Sequence, residues 1–206
     1  MLLKSIHNYC LSCVDRFDTI ASSRKSLLLE LAEHIKSNTS DKIPLDLVFI
    51  CTHNSRRSQF GQVWATIAAQ YFNIPIKTYS AGTETTAFHP NAVQALVDAG
   101  VEVERITNEP NSQLKLTYGN NLHQIYFSKK MDHQTLPQKD FLAIMTCSDA
   151  AENCPFIPNA KWRFPLTYED PKKFDGKSQE KEKYAERCRQ IATELLFVFY
   201  SVDNAF

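Results

Sequence analysis

The stretch Leu45 to Ser58, LDLVFICTHNSRRS, leaves this chain few ways to fold. Its apolar run, Leu47-Val48-Phe49-Ile50, reads as a buried strand that ends at Cys51. Beyond a polar loop, Phe60, Val63, Trp64, Ile67, Ala68 and Tyr71 fall on one face of a helix. Strand, short loop and helix in this order let consecutive backbone N–H groups converge on an oxyanion at the helix N-terminus. A cysteine on the floor of such a cup feels the positive helix end and the Arg57 guanidinium, both of which favour thiolate over thiol. Arg57 offers paired donors to two oxygens of a tetrahedral anion. Ser58 is placed to donate to the sulfur, and Asn54 tolerates the left-handed backbone that a tight loop needs. A buried cysteine beside an incidental arginine would account for Cys51 alone, not for the whole Cys-x5-Arg-Ser array.

Downstream, Ile76 to Ala81 reads as a second strand closed by Gly82. Pro90 suits a first helical position, Val93, Leu96 and Val97 form a face, and Gly100 suits the helix stop. Strand, helix and strand in succession predict a right-handed crossover and a parallel sheet. Phe141 to Thr146 is a further buried-strand run and ends at Cys147, as the first ended at Cys51. Ligands bind where strands end on one edge of an open parallel sheet, so Cys147 is expected near Cys51. Lys161-Trp162-Arg163-Phe164 supplies the last strand. Tyr184, Cys188, Ile191, Ala192, Leu195 and Phe199 form one long apolar helix face.

Two segments stand outside this plan. Residues 1–44 read as an N-terminal helical extension, leaving 45–206 as the main domain. Ile6, Cys10, Cys13, Phe17 and Ile20 lie at helical spacing, and Ser22-Ser23 suits the cap of a second helix carrying Leu27, Leu28, Leu31 and Ile35. The Cys10-x-x-Cys13 pair has no preceding strand and no second ligand pair, so helix packing explains it better than redox or metal chemistry. In the middle of the chain, Leu114 to Tyr118 and His123 to Ser128 flank Gly119-Asn120-Asn121 as an inserted hairpin.

Cys51, Asn54, Arg57 and Ser58 together resemble the phosphate-binding loop of low-molecular-weight protein tyrosine phosphatases and of the arsenate reductases that share their fold. His53 stands where the family often has glycine. Arg56 stands where some arsenate reductases have cysteine, and adds charge near the mouth of the cup. Cys147-Ser148-Asp149-Ala150, followed by Cys154 seven positions after Cys147, resembles the redox segment of the thioredoxin-coupled reductases. Asp170-Pro171 matches the place where the family carries its general acid, and the fixed proline backbone helps aim the carboxylate. The resemblance spans roughly residues 45 to 200 apart from the hairpin. It implies an α/β fold with a doubly wound, four-stranded parallel sheet. It also implies a catalytic set of Cys51, Arg57, Cys147, Cys154 and Asp170, with Thr52, His53, Asn54, Ser55, Arg56 and Ser58 holding the oxyanion and neither metal nor cofactor required.

Composition narrows the remaining classes. The 23 basic and 23 acidic residues balance, and no basic tract interleaves with aromatics, so nucleic-acid binding has little support. The apolar runs are too short to span a membrane, and Met1-Leu2-Leu3-Lys4 does not begin a signal peptide. Six cysteines without an export signal point to a reducing cytoplasm.

Two enzymatic routes share a first step, attack of Cys51 on a tetrahedral oxyanion with Asp170 protonating the leaving oxygen. In a phosphatase, water then hydrolyses the phosphocysteine. In an arsenate reductase, Cys147 attacks Cys51, arsenite leaves, Cys154 attacks Cys147, and thioredoxin reduces the resulting pair. Residues seven apart on a regular helix lie roughly 10 Å apart along its axis. A disulfide needs Cα atoms within about 7 Å, so residues 147–154 must bend back on oxidation. Arsenate reduction is the expected activity and phosphotyrosine hydrolysis the alternative. A third reading, an oxyanion-sensing adaptor docked through the N-terminal helices, would require a silent Cys51.

Overall fold

The computed structural model describes residues 1–40, 44–148, 150 and 157–204. Two helices, α1 (Lys4–Val14) and α2 (Ser22–Asn38), precede strand β1 (Leu45–Cys51). Then follow α3 (Arg57–Tyr71), β2 (Ile76–Gly82), α4 (Pro90–Asp98), β3 (Glu102–Arg105), β4 (Leu114–Gly119), β5 (Leu122–Tyr126), β6 (Phe141–Met145), β7 (Ala160–Pro165) and α5 (Glu180–Asn204). The main sheet is parallel with strand order β2-β1-β6-β7, as the crossover pattern requires. The fold is therefore the expected α/β architecture with a four-stranded parallel sheet.

The period of two along β1 sends alternate side chains to opposite faces. Leu47 and Phe49 enter a large cluster with Trp64, Ile67, Leu96, Leu195 and Phe199, while Val48 and Ile50 pack with Met145, Leu136 and Ile157 on the other face. The residues of β1 from Leu47 to Cys51 are all buried, which is why the strand reads as an unbroken apolar run. On α4 the buried residues are Ala92, Ala95 and Leu96. Val97, expected on that face, is 42 % exposed, because the helix meets α5 through its small residues. Gly100 has φ +101, the left-handed conformation expected of a helix stop.

The N-terminal helices share the large cluster with the sheet. Ile6, Cys10, Cys13, Leu28, Leu31 and Ile35 are fully buried in it, and both helices lie along α5. Arg24 Nη2 stands 2.7 Å from Glu194 Oε2, and the Arg189 guanidinium lies 4.4 Å from the Tyr9 ring centroid. Helix α2 begins at Ser22, but Ala21 occupies the cap position and no side chain caps the turn, contrary to the role expected of Ser22-Ser23. Burial among apolar neighbours pushes the Cys10 and Cys188 thiols up to about 12, which keeps them neutral packing groups. The Trp64 indole N–H donates to Cys188 Sγ at 3.2 Å.

The hairpin β4–β5 forms as expected, with β3 added as a third antiparallel strand that the sequence pattern does not reveal. Tyr118 and Tyr126 are buried in the main core. The hairpin and the chain start also hold each other. Leu3 N–H donates to Tyr118 O at 2.9 Å, and Asn120 N–H donates to Met1 O at 3.1 Å. No helix among the described residues is long and apolar enough to cross a membrane.

Candidate active site

The loop between β1 and α3 is shaped by bonds to its outer side. Thr83, Glu84 and His89 donate their N–H groups to the carbonyls of Cys51, Thr52 and Ser55. Among the described residues the amides of His53 to Arg57 donate to no backbone carbonyl. Asn54 has φ 44, the left-handed conformation anticipated for it. Gly82 lies behind the loop: a Cβ there would stand 2.7 Å from both Asn54 N and Thr52 O, so only glycine allows this approach.

Three side chains form the floor. Cys51 Sγ and Ser58 Oγ are 3.1 Å apart, and Asn54 Nδ2 donates to Ser58 Oγ at 2.8 Å. The Asn54 amide is oriented from its other end, where Oδ1 accepts the Lys129 N–H at 2.9 Å. With Asn54 donating into its oxygen, the Ser58 hydroxyl proton is left to point at the sulfur. Cys51, Asn54 and Ser58 are buried, so the array is out of bulk water.

Arg57 and Asp170 pair with each other. Arg57 Nη2 lies 2.7 Å from Asp170 Oδ2, and Nη1 donates to Tyr168 O at 3.0 Å. Arg57 Nε is buried with no partner among the described residues. Asp170 Oδ1 accepts the Lys172 N–H at 3.0 Å, which caps the short 3₁₀ turn Pro171–Phe174. A cavity of about 870 Å³ opens here, with Thr52, His53, Arg57, Ser148 and Asp170 on its walls. His53 stands at its rim, 3.3 Å from Glu84.

Cys147 is the second cysteine at a strand end. The Thr146 N–H and hydroxyl both bond Ile50 O, at 2.7 and 2.9 Å, and so extend the β1–β6 register by one residue. Cys147 Sγ then lies 3.6 Å from Thr52 Oγ1, beside the residue that follows Cys51. It also accepts the Ala150 N–H at 3.3 Å. Cys154, the third cysteine expected at the site, lies outside the described residues.

Two of the expected oxyanion residues turn their side chains away from the cup. Ser55 Oγ donates to Ala87 O at 2.6 Å. Arg56 Nε donates to Tyr184 OH at 2.6 Å and its Nη2 to Asp175 Oδ2 at 3.0 Å. The charge of Arg56 is thus spent on Asp175, and these two positions can offer the anion only their amides. Tyr184, read from the sequence as an apolar face residue, is a polar hub: its hydroxyl also donates to Asp175 Oδ1 at 2.7 Å. His89 stacks on the Tyr184 ring, centroids 5.3 Å apart. Burial, and next the Arg56 charge, lower its pKa.

Lys129 was also missed. It is 5 % exposed, with Nζ donating to Ser80 O at 3.3 Å and Phe127 O at 3.2 Å and lying 4.5 Å from the Phe127 ring centroid. Burial without a carboxylate lowers its pKa to about 8. No periodicity announces such a residue, because its role is set by contacts with distant segments.

No family model matches the chain. Among curated proteins, the arsenate reductase of Bacillus subtilis (strain 168) is 31 % identical over 143 residues, covering 69 % of this chain and 86 % of that protein. The arsenate reductase of Halalkalibacterium halodurans is 30 % identical over 143 residues with the same coverage. Among solved structures, a low molecular weight phosphotyrosine phosphatase from Vibrio cholerae O395 superposes with TM-score 0.52 at 16 % identity, over 78 % of this chain and 98 % of that one. An arginine phosphatase from Geobacillus stearothermophilus gives TM-score 0.52 at 15 % identity, over 79 % and 95 %. These superpositions speak to the fold.

Proposed function

The chain belongs to the family of arsenate reductases and low-molecular-weight protein tyrosine phosphatases, and from that premise we propose that it reduces arsenate through a relay of three thiols. The observation that carries this reading is Cys147 Sγ standing 3.6 Å from Thr52 Oγ1, beside the residue that follows Cys51. A phosphatase needs the cup and the acid alone, whereas a reductase also needs a buried thiol next to the nucleophile.

In the proposed cycle, Cys51 attacks arsenic while the loop amides and Arg57 take up the charge on the oxygens. Asp170 gives its proton to the leaving oxygen, which departs as water. Cys147 then attacks the Cys51 sulfur. A Cys51–Cys147 disulfide forms, the S–As bond breaks, and its electron pair leaves with arsenite, so As(V) becomes As(III). Cys154 attacks Cys147, freeing the Cys51 thiolate, and a dithiol protein such as thioredoxin reduces the Cys147–Cys154 bond. Here the sulfurs supply both electrons and no cofactor takes part.

The test is turnover with arsenate and thioredoxin, measured beside turnover of an aryl phosphate on one preparation. Sustained arsenite formation is the expected result. Ester hydrolysis without arsenite would instead establish the phosphatase reading.

A further inference from the structure

Asp170 is the only residue the proposed cycle takes from outside the two cysteine-bearing loops, and its carboxylate is held by an arginine that the substrate will claim. Arg57 Nη2 holds Asp170 Oδ2 at 2.7 Å, so an anion on the floor that draws on this Nη2 weakens the hold on the acid. Once it turns to the anion, something else must keep the acid in place. The turn that carries Asp170 has a second anchor. Its far end, Asp175, is held by the neighbouring arginine: Arg56 Nη2 bonds Oδ2 at 3.0 Å, and Tyr184 OH bonds Oδ1 at 2.7 Å. Arg56 Nε closes the ring by donating to the same hydroxyl at 2.6 Å. Adjacent arginines of one loop thus grip the two ends of the 3₁₀ turn Pro171–Phe174.

Resting on the function proposed above, we propose that Tyr184 and Asp175, locked to Arg56, are positioning residues. They keep the Asp170 carboxyl over the cup after Arg57 has moved to the oxyanion. The chemistry of the parts fits a fixed latch rather than a moving one. Tyr184 grows from α5, whose ring at this position is buried, and Arg56 is 8 % exposed, so neither has room to follow the substrate. The carboxylate of Asp175 accepts from two donors at once, which fixes its plane as well as its position. Arg56 also lies 4.0 Å from Asp170 Oδ1, so its charge remains beside the acid when Arg57 departs.

Tyr184→Phe removes only the hydroxyl and keeps the ring against His89. It is expected to lower kcat for phenyl phosphate about tenfold, the effect of one charge-assisted hydrogen bond, with KM unchanged. p-Nitrophenyl phosphate, whose leaving group departs without a proton, should be hydrolysed at nearly the wild-type rate. Added to Asp170→Asn, the same substitution should cause no further loss, because an absent acid cannot be misplaced. The Lys172 amide, bonded to Asp170 Oδ1, gives a readout independent of turnover: with saturating inorganic phosphate its hydrogen exchange should be faster in Tyr184→Phe than in the wild type. Equal slowing of both esters, a further loss in the Asp170→Asn background, or unchanged phenyl phosphate turnover would overturn the proposal. If the wild type neither reduces arsenate nor hydrolyses either ester, the functional reading fails by itself. The Lys172 exchange then decides the latch, and equal exchange in the two proteins would end it.

Discussion

Arg57 Nη2 and Asp170 Oδ2 are 2.7 Å apart, so the residue proposed to hold an oxyanion and the residue proposed to protonate its leaving group hold each other. An entering anion that draws on Nη2 competes with Asp170 for it, while Nε, unpartnered among the described residues, is a further donor. The pair therefore couples filling of the cup to release of the acid, and removal of Asp170 should change binding and chemistry in different directions.

For Asp170→Asn the two directions separate cleanly. Loss of the acid should slow turnover of a poor-leaving aryl phosphate by roughly 10²–10⁴-fold, the usual contribution of general acid catalysis. Phosphate binding, measured by calorimetry, should hold or tighten, because the neutral amide competes less for Arg57 than the carboxylate does. Wild-type rates on the poor leaving group would reduce Asp170 to a turn residue.

At Asn54, backbone and side chain make separable demands. Both Asn54→Ala and Asn54→Gly leave the Lys129 N–H and the Ser58 hydroxyl short of a partner, and each should lower kcat/KM about tenfold. Alanine must also adopt φ 44, a left-handed conformation costing about 1 kcal/mol or more, which glycine reaches freely. Thermal melts should therefore rank glycine above alanine. Identical melting temperatures would mean that the loop does not impose this conformation.

What sequence could reveal of this site follows from distance along the chain. Cys51, Asn54, Arg57 and Ser58 fall within one strand–loop–helix unit, and the structure bonds Cys51, Asn54 and Ser58 together while the Arg57 side chain reaches Tyr168 and Asp170. Strands β1 and β6 were legible as short apolar runs between polar turns, whereas β2 and β7, which carry Lys77, Lys161 and Arg163, were read from their order in the chain. Strand β3 was not, because Glu102 to Arg105 is mostly exposed and carries no alternating pattern. Arg56 illustrates the other limit. Its neighbours in sequence suggested the cup, but its fork is claimed by Asp175 and Tyr184, 119 and 128 residues away. An apolar helical face likewise says that the Tyr184 ring is buried and nothing about where its hydroxyl reaches.

Lys129 carries a pH signature. Its pKa falls from the usual lysine value near 10.4 to about 8 on folding, because burial opposes the charge. Below about pH 8 the folded state bears the full cost of a buried cation. Between about 8 and 10.4 the unfolded chain binds more protons than the native one, so this group makes stability rise with pH. Lys129→Met removes the effect. The wild type should gain on the variant by about 2 kcal/mol between roughly pH 7.5 and pH 10 in denaturant titrations. A constant difference across that range would show that the ammonium is not desolvated as its surroundings imply.

The relay itself is decided by the two cysteines that the cup does not need. Cys154→Ser should reduce one equivalent of arsenate per enzyme and then stall, since no third thiol can free Cys51. Peptide mapping of the quenched protein should then find a Cys51–Cys147 disulfide. Cys147→Ser should block even that first arsenite, because the S–As bond must be broken by attack on the Cys51 sulfur, and Cys147 is the thiol lying beside Thr52. Aryl phosphate hydrolysis should survive in both variants, since it uses the loop, Arg57 and Asp170 alone. The surviving hydrolysis also shows that the variants are folded. Repeated turnover of arsenate by Cys154→Ser would end the three-thiol scheme, and first-equivalent arsenite from Cys147→Ser would remove Cys147 from it.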